Sequence, residues 1–388
     1  MNSNVETLIS SLENLYTGKS KVALVSGPNR RENIARALKL VQDDLAPKIH
    51  GKVLIKPNLV SHKRQLPSTH VDAVRAVLDL VTQYPTEDIV IAEGAHDAAT
   101  GFARFGYLSL PNEYPVRFFD LNKDETNWDT MTVHSVNGDP LVTRISQTVH
   151  HADCRISIAL PKVHTTAIVT LSLKNMMSSI AEKDRNQMHG YGGGVDYTGI
   201  RKKVIAVLRG DSPLINVMTK ALGYAKEFKQ RGRLKPDGSA DLDPREAWFL
   251  KSVQAMNHNL VVLGQNNKPH IGVIDGTWGM EQEGPRHGFK VTMNMAIASA
   301  DCVAADAVAS KIMGFEPMDV GYLYYANEAG LGRADLNEIE VIGDSIKSLQ
   351  RKFHPNANYF VQRQWRSMHQ QEVKAAKEAN LVEAIVEA

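Results

Sequence analysis

Short unbroken apolar runs alternate with amphipathic stretches along most of this chain. Lys21–Ser26, Lys52–Pro57, Asp88–Glu93 and Arg155–Leu160 are short apolar runs carrying valine or isoleucine, and Val116–Leu121 reads as a further strand. That pattern predicts strands buried on both faces. Between them, helical spacing covers Arg31–Leu45, Val71–Tyr84 and Ala98–Phe105, with apolar residues at 71, 74, 77, 78 and 81 in the second. Farther on, Val169–Glu182, Arg245–His258 and Asp301–Met313 read as helices, the last with Asp301 as N-cap and Gly314 as stop. Ile271–Asp275 and Glu338–Ile342 read as two more strands, and 364–388 as a helical tail.

Strands alternating with helices predict an α/β fold: a mostly parallel sheet with helices on both faces, with a second α/β lobe or a large insertion. The expected division is an N-terminal strand and helices over 1–50, the main α/β domain over 50–345, and a C-terminal helical tail over 346–388. Residues near 229–246 are rich in glycine, proline and charge, which predicts an exposed insertion. Ligands on such sheets bind beyond the carboxyl ends of the strands. The ends here are Lys56-Pro57-Asn58, Glu93-Gly94 and Pro161-Lys162-Val163-His164, and all are polar or ionisable.

Charge narrows the partners. With 45 Lys and Arg against 43 Asp and Glu, the 388 residues carry no strong field for nucleic acid or an acidic surface. No run approaches the ~18 apolar residues of a membrane span. Residues 1–17 lack the basic start and apolar core of a secretory signal. The expectation is a cytoplasmic protein without membrane or nucleic-acid partners. Cys154 and Cys302 are isolated, so no built-in iron–sulfur cluster or cysteine zinc site is expected.

The candidate chemistry is basic. Lys162 and His164 stand two apart in an extended segment, so their side chains share a face. An ammonium beside an imidazole can hold an anion or move a proton. Lys174 and Asn175 sit in an apolar run, where a lysine either snorkels to solvent or becomes a base of lowered pKa. Asp275 ends an apolar strand at Gly276, as a turn residue or a ligand. Glu283-Gly284-Pro285 is a rigid turn offering a carboxylate, followed by Arg286. Asp306 is an acid among alanines, facing solvent or a cation. Among the 14 histidines, His164, His189 and His287 with Asp275 could converge on a divalent metal, whereas His150-His151 and His258 read as helix-surface residues. The Gly190–Gly194 loop lacks the Gly-Lys-Ser/Thr ending of a phosphate loop.

Several of these segments together resemble the domain-of-unknown-function family 362: Val53–Val60, Leu160–His164, Val169–Asn175, Val273–Gly276, Glu283–Pro285, Ala298–Gly314 and Leu331–Leu336. The resemblance spans roughly 50–345 and implies an α/β fold. It groups Lys56, Asn58, Lys162, His164, Lys174, Asn175, Asp275 and Glu283 as the polar residues of the matching motifs. Some relatives carry ferredoxin-like cysteine clusters, which implies redox chemistry there; this sequence lacks them, so an electron-transfer role needs an external donor.

The expectation is an enzyme acting on a small anionic metabolite. Lys162, His164, Lys174 and Asp275 are its candidate catalytic residues. Lys56, Asn58, Glu93, Asn175, His189, Glu283, Gly284, Arg286 and Asp306 are candidates for binding substrate. Isomerisation, epimerisation or elimination suits this inventory, with a divalent metal as a possible aid. No Gly-x-Ser-x-Gly elbow for acyl transfer is present. The alternatives are a redox protein using an external donor, and a non-catalytic metabolite-binding or assembly protein.

Overall fold

The computed structural model describes residues 18–95, 97–124, 127–192, 232–235 and 238–374. Part of the 229–246 segment, the end of the Gly190–Gly194 loop and the last residues of the tail lie outside them. Its centre is a ten-stranded sheet. β1 (Ser20–Ser26), β2 (Gly51–Lys56), β3 (Thr86–Glu93), β4 (Arg117–Asp120), β7 (Cys154–Ala159), β10 (Ile271–Glu281), β11 (Phe289–Ser299) and β12 (Ile339–Gly343) lie in the order β12-β1-β11-β10-β7-β2-β3-β4. β11 runs antiparallel to both neighbours, and every other pairing along that path is parallel. The parallel strands therefore all present their carboxyl ends at one edge.

Alternation along the strands divides the core in two. Val22, Leu24, Leu54, Val90 and Ala92 point to one face, where helix α7 (Cys302–Ile312) supplies Val303, Ala304, Ala307 and Val308. Ala23, Val25, Val53, Ile55, Ile89 and Ile91 point to the other, covered by α1 (Arg30–Leu40) and α2 (Val71–Val81). Both faces are apolar, so the strand sequences are near-continuous hydrophobic runs. α3 (Ala98–Arg104) closes the β3–β4 connection.

Three features depart from the sequence reading. β5 (Trp128–His134) and β6 (Pro140–Ser146) form a separate hairpin with exposed residues on alternate positions. Their half-polar pattern hides them from a search for apolar runs. The segment read as a helix over Val169–Glu182 is mostly not one. β8 (Lys162–His164) pairs with β9 (Ile168–Thr170), then comes the four-residue helix α5 (Ser172–Asn175) and two 3₁₀ segments. Tertiary pairing overrides helical spacing there, because β8 is also drawn onto β10 at Met280. The helix read over Arg245–His258 instead runs Pro244–Asn267 (α6), started by an Asp243–Glu246 capping box. α4 (Gln147–His150) links β6 to β7, and α8 (Gly321–Glu328) packs on α6. Residues 365–374 are helical. Among the described residues no helix is long and apolar enough to cross a membrane.

Candidate functional site

The carboxyl edge between β2, β3 and β7 collects most of the candidate residues, and they divide into two groups. The first is a neutralised pair. Lys56 ends β2 and its Nζ lies 2.7 Å from Oε1 of Glu93, which ends β3; both are fully buried. Glu93 also accepts from the backbone N–H of Leu59, Gly94 and Ala95 and from the Ser178 hydroxyl. Burial alone raises a carboxyl pKa, but the Lys56 charge and these donors hold Glu93 below its ordinary value. This pair ties the β2 and β3 turns together and leaves Glu93 nothing to offer a substrate. Gly94 permits the approach: a Cβ there would stand 2.2 Å from the Ser178 carbonyl oxygen.

The second group is cationic. Lys162, fully buried on β8, donates to Asn58 Oδ1 at 2.7 Å and to the Pro67 carbonyl at 2.9 Å. Asn58 in turn donates to Asn175 Oδ1, and Asn175 donates to the Lys56 carbonyl and the Ser157 hydroxyl. Asn58 and Asn175 thus position Lys162. Lys174, on α5, is 6% exposed and among the described residues its Nζ meets Met177 Sδ alone, at 3.5 Å. Among the described residues neither amine bonds a carboxylate. Burial, and then the charge of Lys174, push Lys162 well below its ordinary pKa. Burial brings Lys174 down to about 8.

His164 completes this group. Its Nδ1 accepts from the backbone N–H of Thr166 and Ala167, at 3.0 and 3.1 Å. Burial, then the charges of Lys174, His189 and Lys162, push its pKa well below that of free imidazole. The ring is therefore neutral, with its proton on Nε2, and it is a hydrogen-bond donor rather than a base. The turn that supplies the two N–H groups is tight. Ile168 has φ 64° and Val169 N–H bonds the Ala167 carbonyl at 2.7 Å, a γ-turn of the rare positive-φ kind. A β-branched residue in that region is strained. His189, half-buried, stacks on His164 with ring centroids 6.3 Å apart. Arg286 is exposed and near enough to depress Lys162 further.

Other predicted residues have different roles. Asp306 does not face a cleft: it is fully buried and caps α5 from α7. It accepts from Ser172 N–H and Oγ and from Leu173 N–H. It thereby fixes the helix that carries Lys174, and burial raises its pKa to about 7. Asp275 does not orient the lysines. Both its oxygens take the Arg30 Nε–H, and Thr277 N–H adds a third bond. The Arg30 guanidinium lies 4.1 Å over Trp278, whose ring also meets His70 and Lys290. Sequence reasoning missed Arg30, since nothing local marks its partner 245 residues away. Gly284 packs against β8, where a Cβ would stand 1.6 Å from the Val163 carbonyl oxygen, so a glycine there lets the chain approach the strand that carries Lys162 and His164. Glu283 is half-buried beside it.

The metal reading also changes. His164, His189, His287 and Asp275 do not form a ligand cluster among the described residues; Asp129, His150 and His151 do. Both cysteines are buried, Cys154 pushed up to about 12 and Cys302 well above its ordinary value, in each case chiefly by burial. Neither is a reactive thiolate.

A family model described as "Domain of unknown function (DUF362)" matches residues 53–311. None of the curated proteins is a match. Among solved structures, the lactate racemase apoprotein from Thermoanaerobacterium thermosaccharolyticum is similar in fold, at 13% identity and a TM-score of 0.42. The alignment covers 76% of this chain and 57% of that one, so the chain spans a little over half of that protein's length.

Proposed function

The chain belongs to the DUF362 family, and from its own residues we propose an enzyme that moves a proton on a small carboxylate or phosphate held at Lys162, with Lys174 beside it. One observation carries the reading: two buried lysine side chains share a site, and among the described residues no carboxylate is bonded to either. Burying unpaired charge is costly, and a bound anion supplies the missing partner.

The roles follow from geometry. Lys162 is fixed by Asn58 and the Pro67 carbonyl, which suits charge recognition. Lys174 has a pKa of about 8 and no strong acceptor among the described residues, so a useful fraction is free amine near neutral pH. That matches a general base. Neutral His164 points its Nε2–H away from the backbone donors on Nδ1, ready to donate to an oxygen where negative charge develops. A base and a neutral donor together suit abstraction of a proton next to a carboxylate or carbonyl, as in isomerisation, epimerisation or elimination.

The test is solvent deuterium exchange into a panel of 2-hydroxy, 2-amino and phosphorylated acids, with binding followed by calorimetry. Lys174→Met should lower exchange by about 10²–10⁴-fold, the range for loss of a general base, and keep most of the binding. Lys162→Met should weaken binding first. Tight binding without exchange, unchanged by Lys174→Met, would instead support a ligand-binding protein.

A further inference from the structure

A second constellation lies at the opposite edge of the sheet, where the chain enters β7. Asp129 on β5, His150 at the end of α4 and His151 just after it bring one ligand-type atom each within 4.8 Å of one another. Asp129 and His150 are half-buried and His151 is exposed. The fold brings them together from two segments: the hairpin contributes the acid, and the turn into the main sheet contributes both imidazoles.

Two of the three are held from behind. His150 Nδ1 is 3.0 Å from Oδ1 of Asn267, which is fully buried at the end of α6. Asn267 Nδ2 donates to Ser179 Oγ, which fixes the amide with its oxygen toward the imidazole. His150 Nδ1 therefore carries the proton, and Nε2 keeps its lone pair. Gln147 Nε2 donates to Asp129 Oδ1 at 2.8 Å. The other oxygen, Oδ2, is shut off from solvent and accepts no well-formed hydrogen bond, although His151 Nε2 lies 2.8 Å away. An imidazole whose far nitrogen donates to an amide oxygen, and a carboxylate oriented by a second donor, are how proteins prepare metal ligands.

From this arrangement we infer a site for a divalent transition metal, Zn²⁺ in the first instance, bound by Asp129, His150 and His151. Two nitrogens and one carboxylate oxygen suit Zn²⁺, with a fourth position left to water. Ca²⁺ and Mg²⁺ are disfavoured, because they take oxygen ligands. The ion would sit between Asp129 Oδ2 and His151 Nε2, which now stand 2.8 Å apart. It would pin the β5–β6 hairpin to α4, whose His150 is already tied to α6. Asp129 and His150 bond Gln147 and Asn267 and not Lys162, His164 or Lys174, so the role inferred for the ion is to stabilise the fold, and it stands or falls separately from the proposed reaction.

The experiment uses untagged full-length chain stripped with chelator, then titrated with Zn²⁺ in equilibrium dialysis. One equivalent should bind per chain. Asp129→Asn and His150→Gln should each weaken binding by at least tenfold, and Asn267→Ala by about 10–100-fold, the usual effect of losing a supporting partner. Co²⁺ added to the unaltered chain should give the visible absorption of a low-symmetry nitrogen- and oxygen-bound ion, a readout that needs no variant to fold. The inference fails if no such absorption appears, or if the Asp129→Asn, His150→Gln double variant binds Zn²⁺ as well as the parent does.

Discussion

Two buried lysines at one edge of the sheet have opposite circumstances. Lys56 meets Glu93 at 2.7 Å, and that carboxylate is further satisfied by three backbone N–H groups and a hydroxyl. Among the described residues Lys162 meets only an amide oxygen and a carbonyl oxygen, with a second basic group, Lys174, nearby. Both are fully removed from water. The first arrangement is complete and serves the fold. The second leaves the protein with an electrostatic deficit that an anion would cancel. Burial by itself thus says little about function; what matters is whether the counter-charge comes from the protein.

The contrast should show first in stability. Glu93→Ala removes one partner of the complete pair and orphans several donors. It should cost about 3–5 kcal/mol in urea denaturation, as breaking buried pairs does. Lys162→Met removes an amine that bonds no carboxylate among the described residues but leaves the Asn58 and Pro67 oxygens without their donor, so its cost should stay at about 1–3 kcal/mol. Equal losses in the two variants would erase the distinction drawn between the lysines.

A smaller effect should appear with pH. Lys174 has a folded pKa of about 8, below its unfolded value. Between about pH 8 and 10.4 the unfolded chain holds the extra proton, so stability rises with pH across that window. The gain over a Lys174→Met control should approach about 3 kcal/mol, and saturating anion should reduce it by favouring the ammonium. A flat difference curve would show that Lys174 titrates normally.

The smallest effect concerns the device that holds Lys174 in place. Asp306 has its pKa raised to about 7, so its stabilising contribution is full below about pH 4 and is lost as pH rises through 7. Asp306→Ala should cost about 1–2 kcal/mol at low pH, the scale of a lost helix cap. It should also weaken anion binding, although residue 306 touches no ligand. Unchanged anion affinity would mean that α5 is held by its other contacts.

Much of this was legible in the chain. The apolar runs at 22–25, 53–55 and 89–91 mark buried parallel strands, because a strand covered on both faces cannot alternate. Asp301 and Gly314 bracket α7 as helix signals do. The lysines at 162 and 174 stand out because charge interrupts apolar sequence. The two-residue spacing of 162 and 164 follows from strand geometry. These are local properties, fixed by backbone sterics and by the period of side chains along an element.

What each polar residue does was decided only by the fold. Glu93 and Asp306 look in sequence like acids waiting for a substrate, but Lys56 reaches one across 37 residues and Ser172 the other across 134. Asp275 is claimed by Arg30 from 245 residues away, and Asp129 acquires two imidazoles that read locally as surface histidines. Whether a buried charge is neutralised depends on which partner arrives through space. Distance along the chain carries no trace of that, because Coulomb energy and hydrogen bonding act over a few ångströms and ignore connectivity.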